Sequence, residues 1–222
     1  MVSFVRTRSR RRAVRHGGAM LTKAATGDAT VRPGDRRGPR AGRWAGYAVV
    51  VWGVLFAVPS FVWALGGTAG AESTVAPELV RLARDRVPWF LAVLWVTGLL
   101  KLFGAVVGLG LARPRGVRAG RFLALCGGGA TVLLVWHGSL FVVHGVLVEA
   151  GAVSVEPGLA GLTRWYLYLW GPWFVAGGLA FAAATVRYAR GHEDRRGLRL
   201  LAAAGGLGAL VLSLASTAAG IG

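Results

Sequence analysis

Residues 122–148 read FLALCGGGATVLLVWHGSLFVVHGVLV, a run without a single acidic side chain, lysine or arginine. A helix needs about 20 apolar residues to cross the hydrocarbon core of a bilayer, and this run is longer. His137 and His144 are seven positions apart, so they fall on nearly one helical face. Cys126, Ala130, Leu133 and Val148 continue that stripe, and Gly127, Gly138 and Gly145 form an adjacent strip where another helix can approach closely. Polar groups inside a bilayer are costly and usually face the bundle interior, so the histidine stripe is the first place to look for a site.

Four more runs of the same kind flank this one, at residues 44–65, 88–112, 165–186 and 200–221. Of the 222 residues, 55% are hydrophobic and 16% charged, against about 25% charged in soluble domains. The expected fold class is all-α: a polytopic helical membrane protein with about five transmembrane helices across residues 44–222, preceded by a basic tail, residues 1–43. The tail has almost no large apolar residues and no helical period, the composition of a disordered segment.

The net charge of +17, from 26 basic and 9 acidic side chains, would suggest nucleic acid in a soluble protein. Here the basic residues sit in the tail and in short loops between apolar runs, which is how membrane orientation is encoded; no nucleic-acid partner is expected. With the tail in the cytoplasm, the loops 113–121 and 187–199 are also inside. Arg81, Arg84, Arg86 and Arg164 fall outside, where Glu72, Glu78, Asp85, Glu149 and Glu156 offset them. The expectation is therefore an N-in, C-out plasma-membrane protein whose tail touches anionic lipid. The string Ser9-Arg10-Arg11-Arg12 suggests a twin-arginine export signal. The first apolar run begins only at Trp44 and is full length, so cleavage is not expected; Met20 is an alternative start. The single cysteine, Cys126, excludes an internal disulfide and any CxxC site.

Within the runs, Pro59 should kink the first helix and Gly171-Pro172 should bend the fourth. Trp52, Phe56, Pro59 and Trp63 share one face of the first helix. Residues 75–86, VAPELVRLARDR, have the pattern of a short amphipathic helix. Gly104 and Gly108 form a GxxxG pair through which a homo- or hetero-oligomer could pack.

Lys101 is the only charged residue deep inside any run, with Thr97, Gly104, Ala105 and Gly108 on or near its face. It either points into the bundle or snorkels its stem to an interface. Counting about 1.5 Å per residue puts Lys101 and His137 at similar depth, with Ser60, Trp63, Trp170 and Trp173 in the outer half and His144 nearer the outer surface. Ser60, Trp63, Lys101, His137, His144, Trp170 and Trp173 are thus the candidate lining of one polar pocket open to the outside.

Haem needs ligands from facing helices, and both intramembrane histidines lie on one helix, roughly 10 Å apart along it. A metal ion needs two or three converging ligands. No cofactor and no metal are expected. A proton relay through Lys101, His137 and His144 would make the chain a transporter or a proton-coupled permease subunit. A membrane enzyme or redox protein would use the outer-leaflet pocket. Against both stands the plainer reading, in which neutral histidines hydrogen bond to a neighbouring helix and serve packing. No GxSxG, HExxH or Walker motif is present, and the Gly127–Gly129 string follows no strand.

The first run closes PSFVWALGGTAG, residues 59–70, on a Trp-Ala-Leu-Gly-Gly motif. With Trp44 and Tyr47 at its start, it resembles an uncharacterised family of small multi-span integral membrane proteins of high-GC, actinobacterial-type bacteria. The resemblance covers Trp44 to about Val186. It implies a membrane location and a helical fold and lends no catalytic residue, since that family has no assigned activity. The expected role is a small binding or interaction component of the plasma membrane.

Overall fold

The computed structural model describes residues 43–219, and all regular structure among them is helical. The basic segment at residues 1–43 lies outside the described residues except for Arg43. The helices are α1 (Trp44–Ala64), α2 (Ala71–Thr74), α3 (Pro77–Arg84), α4 (Pro88–Leu111), α5 (Val117–Glu149), α6 (Ala160–Trp165), α7 (Gly171–Arg190) and α8 (Arg195–Ala218). A 3-10 turn, Pro157–Leu159, leads into α6, and a π-helical turn, Tyr166–Trp170, joins α6 to α7. Five helical stretches are long and apolar enough to cross a membrane: Trp44–Ala64, Pro88–Leu111, Val117–Glu149, Pro157–Arg190 and Arg195–Ala218. Their outward surfaces are apolar, with Val106 64% and Leu212 72% exposed. That is the surface of a protein solvated by lipid.

Three of these stretches begin ahead of the apolar runs, at Val117, Pro157 and Arg195. The fifth helix begins at Val117, inside the segment expected to be loop, because helix continuity and bilayer crossing are separate matters: Gly116 is extended, and Val117-Arg118-Ala119 continue readily into a helix. In the fourth stretch the expected bend at Gly171-Pro172 takes the form of the π turn. Pro172 has no N–H to give, and the Gly171 N–H reaches back five residues to the Tyr166 carbonyl. A widened turn just before a proline is one of the standard ways to absorb the lost donor. The first helix stays helical through Pro59. The expected amphipathic helix is α3, which buries Val80 and Ala83.

The long helices pack in the order α4, α1, α7, α5, α8. Close approach between neighbours rests on glycine. A Cβ at Gly46 of α1 would stand 2.6 Å from the Gly108 carbonyl of α4. A Cβ at Gly128 of α5 would run into the backbone of Ala202 in α8. With no hydrophobic drive between helices in lipid, such backbone proximity supplies the van der Waals contact that holds the bundle. Gly108 is therefore filled within the chain by Val49 of α1, while a Cβ at Gly104 would lie 3.5 Å from the Phe181 ring.

The bundle has two distinct ends. At the arginine end the Arg43 Nε donates to the Ala112 carbonyl at 3.2 Å, the Arg187 guanidinium lies 4.6 Å over the Trp44 ring, and Arg121 meets Asp194 at 3.7 Å. A core of Val49, Val107, Leu111, Leu123, Phe181, Tyr188 and Leu198 fills the bundle nearby. At the other end α2 and α3 fold over the bundle, and Ala64, Ala83, Phe90 and Leu94 form a second, smaller core. Between the two cores the packing opens into a cavity.

Candidate functional site

The cavity, about 620 Å³, lies between α1, α4, α5 and α7 and is roofed by α2 and α3. Its volume is in the usual range of ligand pockets, about 300–1,000 Å³. It exists because the ring of helices does not close evenly. The α1–α4 and α5–α7 pairs are extensive, whereas α4 and α5 touch sparsely. They meet near the arginine end, where Leu123 sits over Gly110 and the Phe103 and Phe122 rings are 6.4 Å apart. Farther along, the lining residues Leu100 of α4 and Leu133 of α5 are 63% and 45% exposed. They mark a lateral opening on the lipid-facing surface.

Among the described residues Lys101 is the only charged side chain in the lining. Of its two expected orientations, the inward one is adopted. The Nζ donates to the Ser60 Oγ at 2.8 Å and lies 3.9 Å from the centroid of the Phe56 ring. Phe56 and Ser60 are one turn apart on α1, so a single face supplies the aromatic support and the acceptor. Ser60 is 3% exposed and Lys101 is half-buried, so the contact is largely shielded from the surroundings. Lys101 belongs to neither ion pair found among the described residues, Arg84–Glu72 and Arg121–Asp194. An ammonium away from water normally needs an anion or a full set of acceptors; here the protein supplies one hydroxyl and one π face.

Trp63 also lines the cavity, and its Nε1 donates to the Ala69 carbonyl at 3.1 Å, fixing the link that leads to α2. Trp170 and Trp173 are not lining residues; they stand behind the wall. Trp170 packs on Phe56 with ring centroids 6.1 Å apart and donates to the Thr74 carbonyl at 3.0 Å, tying the π turn to the roof. Trp173 stacks on Trp52, and the Trp52 Nε1 donates to the Trp173 carbonyl at 2.9 Å. His137 and His144 do not line the cavity. His137 lies against Phe141 and Phe174, with ring centroids 4.6 and 5.1 Å away, on an exposed part of α5. Phe174 is itself a lining residue, so its ring separates His137 from the cavity. His144 is exposed nearer the Glu149 end of α5. The structure thus brings Ser60, Trp63 and Lys101 together and leaves the histidines apart from them.

Cys126, Ala130 and Leu133, the other members of the histidine stripe on α5, line the cavity, whereas Phe90 and Leu94 on α4 and Val75, Val80 and Ala83 in the roof were not anticipated from the sequence. Thr97 shares the Lys101 face, and its hydroxyl is engaged with the Leu94 carbonyl at 3.0 Å. The Phe56–Ser60 spacing was legible, but nothing in it says that Lys101 comes to rest there. Among the described residues no group of three His, Cys, Asp or Glu side chains converges as a metal ion would require. The cavity offers a long apolar surface with one described cation, Lys101, and the Ser60 hydroxyl that accepts from it.

No curated protein and no solved structure matches the chain significantly. Residues 53–181 match the family described as "Protein of unknown function (DUF3995)", and that segment contains every lining residue of the cavity except Trp52. The match extends over more than half of the chain, so the protein belongs to the DUF3995 family.

Proposed function

We propose that this protein is a binding component of the plasma membrane that takes an apolar chain from the bilayer into the cavity between α4 and α5. The observation that carries this reading is the cavity itself, about 620 Å³, apolar throughout except at Lys101 and its neighbours, and open along the lipid-facing surface. Tightly packed bundles do not keep such a volume without reason, since voids in a core are destabilising. The arginine end is proposed to face the cytoplasm, on the strength of the basic side chains gathered there.

The test is extraction of the full-length protein from membranes followed by mass spectrometry of whatever lipophilic molecule travels with it. A Gly104→Leu variant serves as comparison. A Cβ at Gly104 makes only an ordinary contact with Phe181, so the larger side chain projects into the cavity without disturbing a helix contact. The wild type should carry a molecule in near-stoichiometric amount, and Gly104→Leu should lose most of it. Equal amounts in both would remove the cavity from consideration.

A further inference from the structure

The binding reading leaves the ligand's head group open, and the surroundings of Lys101 narrow it. We infer that the cavity takes a single-chain amphiphile with a carboxylate head, the carboxylate pairing with Lys101 and Ser60; this rests on the cavity being a ligand site at all.

Charge sets the first limit. Among the described residues the lining holds one cation and no anion, so a monoanion leaves the occupied site neutral, whereas a dianionic phosphate would leave an uncompensated negative charge in an apolar medium. Donor count sets the second. Lys101 spends one N–H on the Ser60 Oγ and keeps the others. Ser60 receives that bond, and no bond from its own hydroxyl hydrogen is found among the described residues. The hydroxyl of Thr97 is already turned to a backbone carbonyl. Two neighbouring donors, one ammonium and one hydroxyl, match the two oxygens of a carboxylate. Neither an alcohol nor an amide head would discharge the ammonium.

Shape sets the third limit. From Lys101 the lining continues along α4 through Thr97, Leu94 and Phe90 to the roof, a distance of about 16 Å at the helical rise per residue. All of that path is apolar apart from the engaged threonine. One alkyl chain lies along it, with the head at Lys101 and the tail under α3, and the gap between α4 and α5 lets the molecule enter sideways.

The experiment uses full-length protein in nanodiscs of phosphatidylcholine, irradiated with dodecanoate carrying a diazirine at its terminal carbon. A matching diazirine dodecanol serves as the uncharged probe. Crosslinks are mapped by mass spectrometry, and each probe is competed with plain dodecanoate and plain dodecanol. The expected result is crosslinking near Phe90 or Leu94, with dodecanoate competing about tenfold or more better than dodecanol, the worth of a charge-assisted hydrogen bond. In Lys101→Met that preference should vanish, and in Ser60→Ala it should shrink. Should Lys101→Met fail to fold, the wild-type ratio and the Ser60→Ala variant decide by themselves. Crosslinking in the cavity with no preference for the carboxylate would overturn the head-group assignment and leave the binding reading standing. No cavity crosslink from either probe would overturn both.

Discussion

The Lys101 ammonium of α4 donates to the Ser60 hydroxyl of α1 across 2.8 Å, and no described carboxylate lines the cavity beside it. This contact joins the two helices that form one wall of the cavity, and its energetics are open to measurement.

Ser60→Ala removes the only side-chain acceptor found for Lys101 among the described residues and should destabilise the protein by about 1–2 kcal/mol. Lys101→Met replaces a half-buried cation by an apolar chain of similar length and should be neutral or stabilising. In the Lys101→Met background Ser60→Ala should have almost no effect. Reversible unfolding in mixed micelles, arranged as a double-mutant cycle, reads the coupling directly. Equal effects of Ser60→Ala in both backgrounds would mean that the hydrogen bond contributes nothing measurable.

The contact between α5 and α8 depends on Gly128, where any Cβ meets the Ala202 backbone, and on Gly205, where one meets the Leu125 carbonyl. Gly128→Ala should destabilise by about 1–3 kcal/mol through overpacking. Gly161→Ala, on the exposed face of α6 with open space around it, should stabilise slightly, by up to about 0.5–1 kcal/mol. The opposite signs of the two Gly→Ala changes, taken under one unfolding protocol, check the packing of α8 against a generic glycine effect.

His137 touches aromatic rings, and no hydrogen bond involving its side chain is found among the described residues. His137→Leu and His144→Leu should each change stability by less than about 0.5–1 kcal/mol, and neither should alter the amount of ligand that co-purifies. A flux or binding defect from either variant, in protein that is otherwise stable, would bring the proton-relay reading back.

Orientation is tested with single cysteines in a Cys126→Ser background. Ser154→Cys lies in the exposed connection after α5 and Gly116→Cys at the arginine end, where nothing crowds a side chain. With the arginine end in the cytoplasm, a membrane-impermeant maleimide should label Ser154→Cys in intact cells and Gly116→Cys only after permeabilisation. The reverse pattern would invert the topology.

The helical stretches were legible because a bilayer imposes a length on apolar runs: α1 and α4 follow the runs at residues 44–65 and 88–112 almost residue for residue. The same signal is blind to helix that continues into water, so α5 starts earlier, at Val117, than the run beginning at Phe122. Lys101 stood out as a candidate because a charge inside an apolar run needs an explanation wherever it occurs. His137 and His144 stood out by the same rule, yet they lie outside the cavity.

What the sequence by itself determined is the set of membrane-capable helices, the glycines that permit close approach, and the identity of the one deep cation; each follows from local composition and helical period. Which faces meet was decided only by the tertiary structure. Periodicity fixes the direction of a side chain relative to its own helix and says nothing about the rotation of the next. The pairing of α1 with α4 turned Lys101 toward Ser60 and Phe56, and the sparse contact between α4 and α5 left the cavity beside them. Both are consequences of how five cylinders share one bundle, a property that no single run contains.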